Sequence, residues 1–438
     1  MRRPYASYRD EEVLWLKQVP AHWRVAPLFA VIDERLAPNL GMKESNLLSL
    51  SYGRIIRKDI ESAEGLLPES FETYQVVDPG DIVFRFTDLQ NDQRSLRTAL
   101  VNERGIITSA YLAVTPRDIS SRYLAYLMRA YDSNKVFYGM GAGVRQSLRF
   151  ADVKRMPVFV PPPDEQRAIT DFLDEQTSRI DALIAKQTQL ITTLRERRTA
   201  AVMTVLASGL RGGEARPDGR ISWLTSVPVS WTVSRLSWVF GQIGSGTTPA
   251  NEDQLDAEAG DVAWVTTSEL REATITATRR TVSLQTVANL SALQVYPQGS
   301  LLIAMYGATV GRIGTLGIPA ATNQACCALA KCTSGSARFF YFVLLAAREH
   351  LIARAVGAGQ PNINQDTIRS LRVPVPPHHE QFEIAAHLDQ LTARIDRLID
   401  ETEQHIALAT ERRAALIAAA VAGQFNVRLR EGVAEEVA

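Results

Sequence analysis

The strongest periodicity in the chain lies between residues 163 and 210. There Ile169, Leu173, Gln176, Ile180, Leu183, Gln187, Leu190 and Leu194 recur at alternating steps of four and three, which predicts a long helix with a heptad seam. Ile384, Leu388, Leu391, Ile395, Leu398 and Ile399 hold the same register and predict a second such helix. Prolines and acids suit a first helical turn, so Pro161-Pro162-Pro163-Asp164-Glu165 and Pro376-Pro377 ahead of Glu380 mark the two starts. Both helices run out at glycines, Gly209 and Gly423, where caps are common. Each offers one apolar stripe to bury, so the two are expected to pack together as an antiparallel coiled coil, a rod of about 60 Å at ~1.5 Å per residue. Outside them the pattern changes to short runs rich in Val, Ile, Tyr and Thr between turns. Gln75 to Phe84, Leu301 to Ala304 and Cys326 to Leu329 read as strands, and residues 122–130 and 337–356 as helices.

The two helical stretches are copies. EQRAITDFLDEQTSRIDALIAKQTQLITTLRERRTAAV, from Glu165, returns as EQFEIAAHLDQLTARIDRLIDETEQHIALATERRAALI, from Glu380. A shift of about 215 residues matches roughly 18 of 46 positions, against about three by chance. Arg179-Ile180-Asp181 recurs as Arg394-Ile395-Asp396, and Glu196-Arg197-Arg198 as Glu411-Arg412-Arg413. A weaker echo precedes each half: Trp15, Val19-Pro20 and Trp23 return as Trp223, Val227-Pro228 and Trp231. The expected architecture is therefore α+β in a pseudo-two-fold tandem repeat. Two mixed α/β domains, 1–162 and 211–377, are separated by repeated helices, 163–210 and 378–425, with a tail over 426–438. Domains of ~150 residues can hold their own cores. Apart from the Trp-Pro echo, the two differ in sequence.

Composition narrows the function. The chain has 438 residues, 46% of them hydrophobic and 22% charged, an ordinary globular balance. No run approaches the ~18 apolar residues of a membrane span, and the N-terminus is charged rather than apolar. Its three cysteines, Cys326, Cys327 and Cys332, form neither a disulfide framework nor a zinc pair. A cytoplasmic chain that binds no metal and meets no membrane is expected. Net charge is zero, yet residues 1–162 and 211–377 each carry +3 while 163–210 carry −1 and 378–438 carry −5. That distribution permits nucleic-acid contact by the domains without requiring it.

Catalytic motifs are missing. Gly244-Ser245-Gly246-Thr247-Thr248-Pro249 has no lysine to reach a phosphate, and neither HExxH nor GxSxG occurs. What remains is side-chain chemistry suited to reading bases, since arginine grips guanine, Asn or Gln grips adenine, and a threonine methyl packs on thymine. The first domain offers Arg85, Asn91, Gln93, Arg94, Arg97 and Thr98, then Arg145, Gln146 and Ser147 before its helix. The second offers Ser245, Thr247 and Thr248, then Tyr306, Thr309 and Arg312, then Asn323 and Gln324, and finally Gln360, Asn362 and Asn364. Such clusters recur at like positions in both halves.

The tandem plan, the Glu-Gln helix starts, the Arg-Ile-Asp and Glu-Arg-Arg repeats and Gly357-Ala358-Gly359-Gln360-Pro361-Asn362-Ile363-Asn364 resemble the specificity subunits of type I restriction–modification systems. The passages from Arg104 to Tyr111 and from Tyr306 to Gly314 are similar to that family's target-recognition domains. The first half departs from the pattern, with Arg145-Gln146-Ser147-Leu148-Arg149 where the second has Asn-Ile-Asn. The resemblance implies a subunit that is not itself an enzyme and that reads a split, asymmetric site in double-stranded DNA. It also implies two methyltransferase subunits docked on the helices and restriction/translocase subunits as further partners. No cofactor is expected on this chain; S-adenosylmethionine, ATP and magnesium would belong to the partners. The rival expectation is a scaffold, two protein-binding domains spaced by a coiled coil with no DNA role.

Overall fold

A computed structural model describes residues 4–13, 15–59, 70–89, 92, 96–140, 147–249, 255–256, 261–357 and 361–429. The chain forms two compact units, one of residues 1–188 with 403–438 and the other of residues 189–402. The two long helices, Pro163–Ser208 and His378–Val421, are each shared between them. Each unit therefore holds the first part of one helix and the last part of the other.

The first unit is built on a four-stranded antiparallel sheet in the order Ile32–Glu34, Leu112–Pro116, Ile82–Phe84, Thr98–Leu100. The predicted single strand from Gln75 to Phe84 is two, Gln75–Val77 and Ile82–Phe84, interrupted by a turn at Gly80. The helix Ser121–Ser133 starts where Ser120 accepts the amide of Tyr123. It buries Tyr123, Leu127 and Tyr131 with Trp23, Phe84, Phe159, Ile169, Leu173, Ile417 and Val421 in one core, to which both long helices contribute.

The second unit carries two five-stranded mixed sheets. One orders Phe240–Ser245, Cys326–Cys332, Leu301–Ala304, Ile313–Leu316 and Thr274–Ile275; the other is centred on Val262–Val265. The expected helix over 337–356 is two, Ala337–Ala346 and Arg348–Ala353. Trp231, Phe339, Ile384 and Leu388 share its main core with Val202 and Leu206.

The helix pairing is antiparallel in each unit. In the first, the end of the second long helix meets the start of the first: Tyr8 Oη donates to the Gly423 carbonyl at 3.0 Å, and Trp23 Nε1 donates to Glu165 Oε2 at 2.8 Å. In the second unit, Trp231 Nε1 donates to Glu380 Oε2 at 3.0 Å. The glutamines beside these acids also repeat. Gln166 accepts the amide of Ser120 at 2.8 Å, and Gln381 that of Ser336 at 2.9 Å. Each Glu-Gln start thus locks its helix to the domain before it.

The seam itself corrects the sequence reading. Leu173, Ile180, Gln187 and Leu194 lie on it, but its other leg runs through Thr177, Ile184 and Ile191 rather than Gln176, Leu183 and Leu190. Leu183 and Leu190 are 49% and 47% exposed, whereas Thr177 is 4%. In the second helix Ile399 is buried as expected, but Thr392 is buried in preference to Leu391, which is half-buried, and Leu398 is 49% exposed. The reason is local. A helical threonine can satisfy its hydroxyl on the carbonyl four residues back, as Thr177 does on Leu173 at 2.6 Å and Thr392 on Leu388 at 2.8 Å, so its methyl can be buried without an orphaned donor.

Among the described residues no helix is long and apolar enough to cross a membrane, and no group of His, Cys, Asp and Glu could hold a metal ion.

Candidate nucleic-acid interface

Strand register assembles the site of the second unit. Ser245 pairs with Cys327 and Ala304 with Cys326, so the segments that follow Ser245 and Ala304 come beside the one that precedes Cys326. This brings residues 246–248, 305–312 and 323–325 together at one end of a sheet. The segment 361–365 joins them: Ile363 donates its amide to the Met305 carbonyl at 2.7 Å, and Asn362 bridges to Tyr306. Side chains tie the loops further. Gln365 Nε2 donates to Ser245 Oγ at 2.8 Å, and Thr248 Oγ1 donates to Gln324 Oε1. Gly246 is needed for this closure, because a Cβ there would stand 1.8 Å from the Thr322 carbonyl oxygen.

Four clusters far apart in sequence therefore form one polar surface. Thr248, Arg312, Gln324, Asn362 and Asn364 are exposed on it, while Ser245, Thr247, Tyr306, Thr309 and Asn323 are half-buried. Asn364 also has a structural duty, since its Oδ1 accepts the Thr367 amide at 2.7 Å and caps the helix Gln365–Ser370. Asn323 Oδ1 similarly accepts the Ala325 amide at 3.2 Å. Partial burial raises the Tyr306 phenol, so it meets a ligand as a neutral donor and acceptor. Gln360 lies outside the described residues.

The first unit repeats the closure with other residues. Leu148 donates its amide to the Phe86 carbonyl at 3.2 Å, as Ile363 does to Met305. Arg149 stands at the N-cap of the helix Phe150–Val153, as Asn364 does in its own. The departure from Asn-Ile-Asn therefore keeps the backbone arrangement and changes the side chains. Ser147 is exposed beside it and Arg85 is half-buried. Asn91, Gln93, Arg94, Arg145 and Gln146 lie outside the described residues.

Two expected base readers are corrected. Arg97 is fully buried, and it donates to the carbonyls of Thr87 at 2.9 Å, Asp88 at 3.2 Å and Asp92 while its backbone amide reaches Asp132. Thr98 is buried in the strand Thr98–Leu100. A guanidinium whose donors are spent on carbonyls inside the protein has none to offer a base.

The sequence reading missed the ionic partners of the repeated motifs. Arg413 Nε lies 2.9 Å from Asp181 Oδ1, and Arg198 Nε lies 3.3 Å from Asp396 Oδ1. Each Glu-Arg-Arg thus faces the Arg-Ile-Asp of the other helix. The signal was available, because both motifs recur at one shift and an antiparallel pairing brings them opposite each other. In the second unit Arg198 and Arg348 also converge on Glu272, at 2.7 and 2.5 Å. Burial raises the Glu272 carboxyl, but the two arginines outweigh it and hold it below the usual range.

Residues 228–407 match the family model of the type I restriction modification DNA specificity domain. The MjaIX specificity subunit of a type I restriction enzyme from Methanocaldococcus jannaschii is 22% identical over 182 residues, which span 40% of this chain and 41% of that relative. A chain solved in work on the assembly and conformational transition of a type I R-M system superposes with a TM-score of 0.65 at 18% identity, covering 92% of this chain and 98% of its own. The HsdS subunit of Thermoanaerobacter tengcongensis, also 18% identical, gives 0.44 with 94% and 99% covered. The first superposition shows that the fold is shared along nearly the whole chain.

Proposed function

We propose, from the premise that this chain belongs to the type I restriction–modification specificity family, that it is the non-catalytic subunit that reads a bipartite, asymmetric DNA site. One observation carries the reading: the matched stretch 228–407 gathers four separated polar loops onto a single surface whose exposed side chains are the arginine, amides and threonine that recognise base edges. The first unit builds the same closure from unlike residues, which supports two different half-sites. The alternative of a scaffold without DNA contact gives no reason for a polar, amide-rich surface in place of an apolar one.

Methyltransferase subunits are the proposed partners on the helices. Leu183 and Leu398 occupy equivalent repeat positions, and both are 49% exposed outside the seam. Equivalent apolar positions on two like helices support two copies of one partner. S-adenosylmethionine, ATP and magnesium would act on such partners rather than on this chain.

The test is methylome sequencing of cells that carry the methyltransferase with and without this chain. A split motif that appears only with the chain is expected. An unchanged methylome, or methyl transfer by the purified chain alone, would refute the reading.

A further inference from the structure

The two units solve one electrostatic problem differently. In the second, Arg348 donates Nε to the Gly311 carbonyl at 3.1 Å and Nη2 to Glu272, which also receives Arg198. In the first, Arg129 donates Nη2 to the carbonyls of Gly53 at 2.5 Å and Thr98 at 2.7 Å. Its guanidinium lies so close across Gly53, a left-handed glycine, that a Cβ there would stand 2.2 Å from Nη1. Arg413, the repeat counterpart of Arg198, lines the same space and holds Asp181, the counterpart of Asp396. Among the described residues no carboxylate pairs directly with Arg129, although Asp132 lies near enough to act on its charge, and Asp181 also meets Arg54 at 3.8 Å. There is a cavity of about 530 Å³, lined by Arg54, Arg122, Arg129, Arg413, Asn102 and Asp174 among others. Arg122 is neutralised by Asp174 and Asp171. Arg129 is left with an unpartnered buried Nε, and burial, opposed by Asp132 and helped by the charges of Arg413 and Arg54, pulls its pKa down to about 10. Arginine does not release its proton in a protein, so the shift records the cost of burying its charge.

We propose that this cavity is a binding site for a phosphate-type oxyanion, held by Arg129 and Arg413 with Arg54 at its mouth. Guanidinium forks suit such a ligand because they pair two donors with two oxygens. The oxyanion could be a DNA backbone phosphate or a free phosphate, and the site goes beyond the reading of bases.

The experiment uses the full chain and inorganic phosphate. Thermal midpoints are compared in phosphate and in chloride at equal ionic strength, for the wild type, Arg129→Met and Asn102→Asp. The second variant places a carboxylate in the cavity without removing an arginine, and so keeps the test valid if the first fails to fold. A saturable rise in phosphate is expected for the wild type, with apparent affinity weakened at least about tenfold in either variant. An equal rise in wild type and Asn102→Asp would overturn the proposal, because it would reflect general salting rather than a site. A salt series on non-specific duplex then separates the sources. If the DNA backbone supplies the phosphate, Asn102→Asp lowers the slope of log affinity on log salt by about one; if the anion is free, the slope is unchanged. Neither readout requires sequence-specific recognition, so failure here leaves the base-reading proposal standing.

Discussion

At the residue scale, exposure separates arginines of one chemistry into different roles. Arg312 is exposed and Arg97 is sealed among carbonyls. Arg312→Ala is expected to leave stability within about 0.5 kcal/mol of wild type and to relax one or two positions of a single half-site, since a lost bidentate contact is worth ~1–3 kcal/mol. Sequencing of methylated sites from the variant checks this. Arg97→Met should instead destabilise the fold by about 3 kcal/mol, read from a denaturant midpoint, because buried carbonyls lose their donors. Glu272 makes a pH prediction. Its folded carboxyl lies below the usual value, so its stabilisation is present above the unfolded pKa and is lost as pH falls through the folded one. Glu272→Gln should therefore flatten the loss of stability on acidification below about pH 4.5. A variant that melts with the wild-type pH profile would show that the two arginines do not hold the carboxyl down.

At the element scale, the seam rather than hydrophobicity decides which helix positions matter. Ile191 is 6% exposed and Leu183 is half-exposed, although both are large aliphatics on the same helix. Ile191→Asp is expected to cost about 3 kcal/mol or more, whereas Leu183→Asp should change folding by about 0.5 kcal/mol or less. Leu183→Asp should nonetheless weaken capture of methyltransferase subunits in a pull-down, because it charges the proposed docking position. Equal losses of stability for the two variants would mean the seam is misplaced. The helix starts work by a second device, in which Glu165 and Glu380 each accept an indole from the preceding domain. A tryptophan distant in sequence thereby fixes where each helix begins.

For the molecule as a whole, the repeat gives each unit the same parts: an indole on a helix-start glutamate, a glutamine on a helix cap, and an arginine on the opposite helix's aspartate. Divergence is greatest in the sheets and loops. That division predicts modular recognition. Arg312→Ala or Asn362→Ala should loosen one half-site, and Arg94→Ala the other. If variants in the two units degrade the same half-site, one-unit, one-half-site recognition is wrong.

The sequence by itself determined the tandem plan, both long helices and their starts, the mixed α/β character of the domains and the residue types of the proposed recognition surface. These are local or repetitive signals: heptad spacing over forty residues, prolines before acids, and a copy at a fixed shift. The tertiary structure alone decided which of two adjacent stripes is the seam, because only packing shows that Thr177 is inside while Leu183 stays half-exposed. It alone placed Arg97 in the interior and joined loops 246–248, 305–312, 323–325 and 361–365, since strand register sets which distant loops become neighbours. Composition marks a residue as able to read a base; whether its donors face a ligand or a carbonyl of its own chain depends on contacts that the linear sequence does not encode locally.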